Sequence, residues 1–164
     1  MTTTLASPST TPCEASDGWL CAGAGVLVTR LLYLKSGEAA DFAIVDAAMN
    51  DLMRPALYDA HHGVITVHSP RPDASGRPIR LVGPICESSD DFGTYRDLGA
   101  LRADDLLAFR DVGAYGAAMS STYNGRDLIP EAFVEGSHFR LIRNRPAIDE
   151  VLRLEQAGPW QQAG

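Results

Sequence analysis

Short apolar stretches alternate with turn residues along most of the chain, a pattern typical of β-rich domains. Residues 26–34 (VLVTRLLYL) begin with β-branched side chains and predict one strand, and residues 41–45 (DFAIV) predict a second. The Ser36-Gly37-Glu38 turn between them predicts a hairpin. Further extended segments are predicted at residues 64–68, 79–82, 106–110, 117–120 and 138–142.

Helical patterning is confined to two places. Residues 146–156 carry apolar side chains on one face and have a proline in the first turn. Residues 53–60 predict a short helical turn. Many short strands, Gly and Pro turns and little helix together predict a mainly β fold, a barrel or sandwich with a short C-terminal helix.

The length of 164 residues suits one domain with a core and is too short for two ordinary ones. Residues 1–18, rich in Ser, Thr and Pro, are expected to be a disordered tail, because they lack the basic and apolar regions of a secretory signal. Residues 19–164 are expected to form the β-domain. The apolar runs fall short of the roughly 18 residues of a membrane helix, so we expect a cytoplasmic protein with no membrane partner.

Charge and cysteine content exclude further classes. A formal net charge of −7 argues against a nucleic-acid partner, which requires a basic face. The three cysteines, Cys13, Cys21 and Cys86, lack the spacing of a disulfide framework or a metal motif. Since adjacent side chains diverge, the His61-His62 pair does not predict a shared metal either.

Arg54 and Tyr58 are candidate binding residues in the segment DLMRPALYDA. They are four positions apart, so a helical turn would place them on the same face. A guanidinium beside a phenol suits a substrate carboxylate. From spacing alone, a surface ion pair from Arg54 to Asp51 or Asp59 is the commoner arrangement, and both interpretations stay open at this point.

Cys86 and Glu87 lie in a loop bounded by Gly and Pro, GPICESSD. They suit a proton donor beside an ammonium-binding carboxylate, although from these residues alone a buried thiol beside a solvated glutamate is the commoner arrangement. Tyr115, in DVGAYGAAM, has small neighbours that allow close approach to a ligand. A tight turn with a packed tyrosine is an equally natural explanation.

Taken in order, VDAAMNDLMRPALYDAHH, VGPICESSD and DVGAYGAAMSSTYNGR resemble the C-terminal motifs of the diaminopimelate decarboxylases, which are fold-type III pyridoxal-phosphate (PLP) enzymes. The match extends from about residue 23 to about residue 160. It implies a β-barrel or sandwich like the C-terminal domain of alanine racemase and group IV decarboxylases, preceded in the family by a PLP-holding TIM-like barrel. It also implies conversion of meso-diaminopimelate into L-lysine and CO₂ by a head-to-tail homodimer with shared active sites.

The resemblance implies a role for each candidate residue. Arg54 and Tyr58 fall on positions that bind the distal end of the substrate. Cys86 falls on the proton donor, and Glu87 on a substrate-binding carboxylate that reaches across the dimer interface. Tyr115 falls on the residue that contacts both cofactor and substrate.

The chain departs from the family pattern in two respects. The cofactor lysine and the Gly-rich phosphate loop of the family belong to the barrel, whereas Lys35 is the one lysine here and lies in a turn; Ser89 also replaces a family glycine. We therefore predict that this polypeptide alone has no decarboxylase activity and works in a homodimer or with a barrel-bearing decarboxylase subunit on a small diamino acid. The alternatives are a catalytically inactive relic serving as a dimerisation or regulatory domain, and a fragment without a stable fold.

Overall fold

A computed structural model describes residues 20–68, 70–72, 76–155 and 158–161. The chain divides into two compact units, Met1–Ser120 and Ser121–Gly164. The tail expected at residues 1–18 lies outside the described residues. The fold is mainly β, as the pattern predicts.

The first unit contains one six-stranded sheet. Its strands are β1 (Leu27–Lys35), β2 (Asp41–Val45), β3 (Val64–Thr66), β4 (Ile79–Val82), β5 (Asp91–Tyr95) and β6 (Leu106–Phe109). They lie in the order β3-β6-β1-β2-β4-β5, antiparallel except for β2 and β4, which are parallel. Because parallel neighbours cannot be joined by a hairpin, the chain crosses over between β2 and β4. That crossover contains the helix α1 (Arg54–Tyr58).

The core lies against one face of this sheet. Buried and exposed residues alternate along the first half of β1, where Leu27, Thr29 and Leu31 point inward. Phe109 on β6 is fully buried, and its ring centre lies 4.7 Å from that of Phe92 on β5. Burial of such side chains is the main force holding the sheet together.

Two polar networks surround the sheet. Tyr95 on β5 is buried; its ring stacks on His61, and its hydroxyl lies 2.9 Å from the carbonyl oxygens of both His62 and Phe92. Burial, helped by the charge of Asp91, raises the pKa of Tyr95 to about 12.

The second network centres on the buried Asp105. It accepts two hydrogen bonds from Arg71, with N–O distances of 2.6 and 2.9 Å, and one from the Arg102 amide at 2.7 Å. The hydrogen bonds from Arg71 hold the pKa of Asp105 well below its usual range.

The predicted strands at 26–34, 41–45, 64–68, 79–82 and 106–110 are confirmed, with small shifts at their ends. The prediction of an extended segment at 117–120 is wrong, because Gly116–Met119 form a helical turn, α2. Alanine favours helix over strand, and the left-handed backbone of Tyr115 (φ 62°) redirects the chain just before the turn.

The second unit contains a hairpin of β7 (Glu131–Glu135) and β8 (His138–Arg143). Arg143 forms an ion pair with Glu131 at 2.9 Å. The predicted strand at 138–142 is confirmed as β8. Of the predicted helix at 146–156, Ile148–Leu152 form α3 and Arg153–Glu155 a 3-10 turn.

Candidate functional site

The helix α1 places Arg54 and Tyr58 on the surface of the first unit. Pro55 lies in its first turn, where a missing backbone N–H costs no hydrogen bond. Met53 and Ala56 pack against a small buried cluster of Ala48, Met49 and Ile85. This packing anchors one side of the helix, so the Arg54 and Tyr58 side chains are left to face outward.

The start of the crossover is attached to β1 by a separate contact. The Thr29 hydroxyl donates to Asp46 Oδ1 at 2.7 Å and accepts the Ala47 amide at 3.0 Å. The Asp51 carboxylate closes the next turn by accepting the Ala48 amide at 2.9 Å. The segment that leads into α1 therefore has a defined path.

Tyr115 is positioned by close contact between two backbone segments. The Gly113 amide donates to the Ala22 carbonyl at 3.0 Å, and a side chain at Gly113 would collide with the carbonyl oxygen of Cys21. Tyr115 itself adopts a left-handed backbone conformation, which is uncommon for a residue other than glycine. These constraints direct a half-exposed phenol ring toward α1.

Arg54, Tyr58 and Tyr115 surround one cavity. Its volume is about 450 Å³, and Met119 completes its lining. The guanidinium carbon of Arg54 lies 5.6 Å from the Tyr115 ring centre, within the range of a cation–π interaction. The cavity thus combines a fixed positive charge, two phenol groups and a thioether wall, a combination suited to an anionic group on a partly apolar molecule.

Cys86 and Glu87 lie on a neighbouring loop and do not line this cavity. Both side chains are exposed, while Ile85 beside them belongs to the buried cluster against which Met53 and Ala56 pack. The Ser89 hydroxyl donates to Glu87 Oε1 at 2.6 Å. The structure therefore groups three of the five predicted residues around one cavity and places the other two on the loop that packs against the same helix.

Sequence reasoning missed two residues of this region, Met119 and Asp90. Met119 lies one helical turn after Tyr115, and that spacing is a signal which could have revealed it. Asp90 is 3% exposed and accepts the amides of Met49 and Ile85, each at 2.7 Å. Its signal was Gly83 at the other end of the loop, where a side chain would collide with the Asp90 carboxylate.

Lys35 lies elsewhere in the first unit. It ends β1 and lines a separate cavity of about 230 Å³ together with Ser36 and Asp41. Within the described residues, no cluster of three or more His, Cys, Asp or Glu side chains is arranged to hold a metal ion. In the same part of the chain, none of the helices has the length and apolar character needed to cross a membrane.

Known proteins similar to this chain include diaminopimelate decarboxylases from several bacteria. That of Zymomonas mobilis is 45% identical over 158 residues, covering 90% of this chain and 37% of the relative. That of Pseudomonas aeruginosa is 51% identical over 140 residues, covering 85% of this chain and 33% of the relative. The chain thus spans about a third of the length of these relatives.

Solved structures give the same result. Diaminopimelate decarboxylase from Helicobacter pylori, complexed with L-lysine, superposes with a TM-score of 0.73 at 40% identity, covering 84% of this chain and 33% of that one. The family model for the C-terminal sheet domain of pyridoxal-dependent decarboxylases matches residues 19–113, which include the whole sheet, α1 and the Cys86 loop. Motif order, sheet topology and family match agree, and the chain belongs to the family of pyridoxal-dependent decarboxylase C-terminal sheet domains.

Proposed function

We propose that this chain supplies the substrate-binding and proton-donating part of a diaminopimelate decarboxylase active site, which converts meso-diaminopimelate into L-lysine and CO₂. The cavity of Arg54, Tyr58, Tyr115 and Met119 beside the Cys86–Glu87 loop is the observation that carries the proposal. A barrel-bearing decarboxylase subunit completes the site across a dimer interface.

The residues of this chain do not fit a complete PLP site. Lys35, its one lysine, lines a different cavity from Arg54 and Tyr115, so it cannot anchor the cofactor where the candidate substrate residues lie. When bound to its anchoring lysine in a decarboxylase, PLP supplies the electron sink for loss of CO₂. We therefore propose that the cofactor is held by the barrel subunit, and that this chain alone does not turn over substrate.

Within that site, the side chains of this chain recognise the two charges on the distal end of the diamino diacid. Arg54 binds the carboxylate with its planar guanidinium, and Tyr58 adds a phenol hydrogen bond. Glu87 binds the ammonium group. A site that pairs both charges discriminates strongly against analogues lacking one, because its own polar groups would then stay unpaired.

Cys86 and Tyr115 act nearer the reacting carbon. The Cys86 thiol donates the proton that replaces the departing carboxylate, a role suited to an accessible thiol that is free of disulfide bonding. Tyr115 contacts both cofactor and substrate and, through its contact with Arg54, links the reacting centre to the distal carboxylate site.

Complementation of a defective full-length decarboxylase tests the proposal. The partner is a barrel-bearing diaminopimelate decarboxylase whose own Cys-Glu pair has been replaced by Ser-Gln, so that it retains PLP but lacks this loop chemistry. Adding the present chain is expected to restore CO₂ release from meso-diaminopimelate, because mixed dimers combine the intact loop with the intact cofactor site. The chain alone with PLP should show only the rate of free cofactor.

Variants of this chain provide the controls. Cys86→Ser and Glu87→Gln should fail to restore activity, whereas Cys21→Ser, which changes the other exposed free cysteine of the described residues, should restore it fully. Mixed dimers that form without any activity would contradict the proposal and favour a purely dimerising or regulatory domain.

A further inference from the structure

Two separate segments carry the proposed substrate residues of this chain. One is residues 46–58, which contain Arg54 and Tyr58, and the other is residues 83–90, which contain Cys86 and Glu87. For one ligand to meet both, the segments must keep a fixed spacing. Exposed side chains on loops do not keep such spacing without a strong internal connection.

Asp90 provides that connection. One carboxylate oxygen accepts the Met49 amide at 2.7 Å and the other accepts the Ile85 amide at 2.7 Å. Each segment thus contributes one backbone donor to a single buried carboxylate, which is 3% exposed. Hydrogen bonds from amides to a charged oxygen are stronger than neutral ones, and burial strengthens them further.

The surrounding residues reinforce this arrangement. The Gly83 amide donates to the Asp90 carbonyl at 3.0 Å, and the absence of a side chain at Gly83 leaves room for the carboxylate. The Ser89 hydroxyl also lies 3.6 Å from the Met49 sulfur while it donates to Glu87. The loop therefore meets the crossover segment at two consecutive positions, Ser89 and Asp90.

We propose that Asp90 is a positioning residue, whose carboxylate sets the spacing between the Arg54–Tyr58 helix and the Cys86–Glu87 loop. The functional part of this proposal rests on the decarboxylase role proposed above, but the physical coupling does not. Asp90→Asn is the informative change. It preserves the size of the side chain but replaces one accepting oxygen with an NH₂ group that faces a backbone donor.

Amide hydrogen exchange measures the coupling on this chain alone. In the unaltered protein, the amides of Met49 and Ile85 should show matching protection, because a local opening that displaces the Asp90 carboxylate breaks both hydrogen bonds. Both amides should be less protected than those of β1. In Asp90→Asn both amides should exchange on the order of tenfold faster, the effect of losing a charge-assisted hydrogen bond. Asp51→Asn is the matched control: Asp51 is also 3% exposed and accepts the Ala48 amide, whereas the Ile85 amide is bonded by Asp90, so this change should leave Ile85 unchanged.

Three results of the exchange experiment would overturn the coupling of the two segments through Asp90. Protection of Met49 and Ile85 that differs by more than about tenfold in the unaltered protein overturns it, and this measurement does not depend on the variant folding. Unchanged exchange in Asp90→Asn, or acceleration that extends equally to β1 and β6, also overturns it, because Asp90 would then be either dispensable or simply a folding residue.

The complementation assay tests the functional part. Asp90→Asn should reduce restored CO₂ release by on the order of tenfold, while Asp91→Asn, which alters the surface contact with Arg80, should not. Full activity of Asp90→Asn together with faster exchange would refute the positioning role. If the unaltered chain restores no activity, the decarboxylase proposal fails, and the exchange data still decide whether Asp90 couples the two segments.

Discussion

Replacing Tyr95 with phenylalanine should change how stability depends on alkaline pH. Tyr95 is 9% exposed, and its hydroxyl is shared between the His62 and Phe92 carbonyl oxygens. Removing that hydrogen bond should lower the free energy of unfolding by about 1 kcal/mol near neutral pH. The ring itself stays, so its stacking on His61 at 5.3 Å is retained.

The sign of the pH effect follows from the raised pKa. The phenol keeps its proton up to about pH 12 when folded, but loses it near pH 10 when unfolded. The stability that depends on the neutral phenol is therefore complete below about pH 10 and is lost as pH rises through 12. At about pH 11 the unfolded state already gains about 1.4 kcal/mol from ionisation, which exceeds the cost of deleting the hydroxyl.

Urea unfolding followed by circular dichroism at about pH 8, 10 and 11 measures both effects. The unaltered protein should be the more stable at pH 8, and the difference from Tyr95→Phe should vanish or reverse near pH 11. All other titrating groups are common to both proteins, so their contributions cancel in the difference. A difference that stayed constant over this range would refute the assignment of a buried, neutral phenol.

Three further substitutions test the loss of stability at acid pH, the Tyr115 loop and the core. Asp105→Asn should flatten the fall in melting temperature below about pH 4, because the Arg71-bonded carboxylate stabilises the fold above its unfolded pKa and loses that effect as pH falls. Gly113→Ala should cost about 1–3 kcal/mol in urea unfolding, since its methyl group collides with the Cys21 carbonyl. Leu107→Ala, at a fully buried position on β6, should cost about 2–5 kcal/mol in the same assay.

The glycine and leucine changes each have a matched control within the first unit. Gly63→Ala meets nothing closer than 3.8 Å, and Leu57 is 56% exposed, so both alanine variants should stay within about 0.5 kcal/mol of the unaltered protein. Equal losses for Gly113→Ala and Gly63→Ala would contradict the backbone contact. If the melting temperature of Asp105→Asn falls with decreasing pH as steeply as that of the unaltered protein, another carboxylate dominates the acid sensitivity.

Patterning predicted the central strands because their burial alternates or is continuous, as in β1, β2, β4 and β6. It missed β5 (DFGTY), where glycine and polar residues hide the alternation, and β7 (EAFVE), whose ends are charged. The parallel pairing of β2 with β4 also had no local signal, because it depends on the path of the crossover rather than on either strand.

The candidate site was accessible from sequence only through the resemblance. Spacing alone left the surface ion pair as the commoner explanation for Arg54, whereas the structure places its guanidinium over Tyr115. Gly83 was the one local signal for Asp90, and it could not reveal the partner Met49, which tertiary packing brings to the loop from 41 residues away. The roles of Cys86 and Glu87 remain predictions.

The pairing of β1 with β6 affects how the chain can be made. Leu27 pairs with Phe109, so β1, an interior strand of the sheet, gains one of its two neighbours only after nearly the whole first unit has left the ribosome. Until then, β1 can pair only with β2, and the unpaired backbone N–H and C=O groups along its other edge stay open to other nascent chains. Contacts between such distant positions form slowly. Biosynthesis is therefore a stage at which this protein is exposed to aggregation, and slower growth at lower temperature should raise its soluble yield.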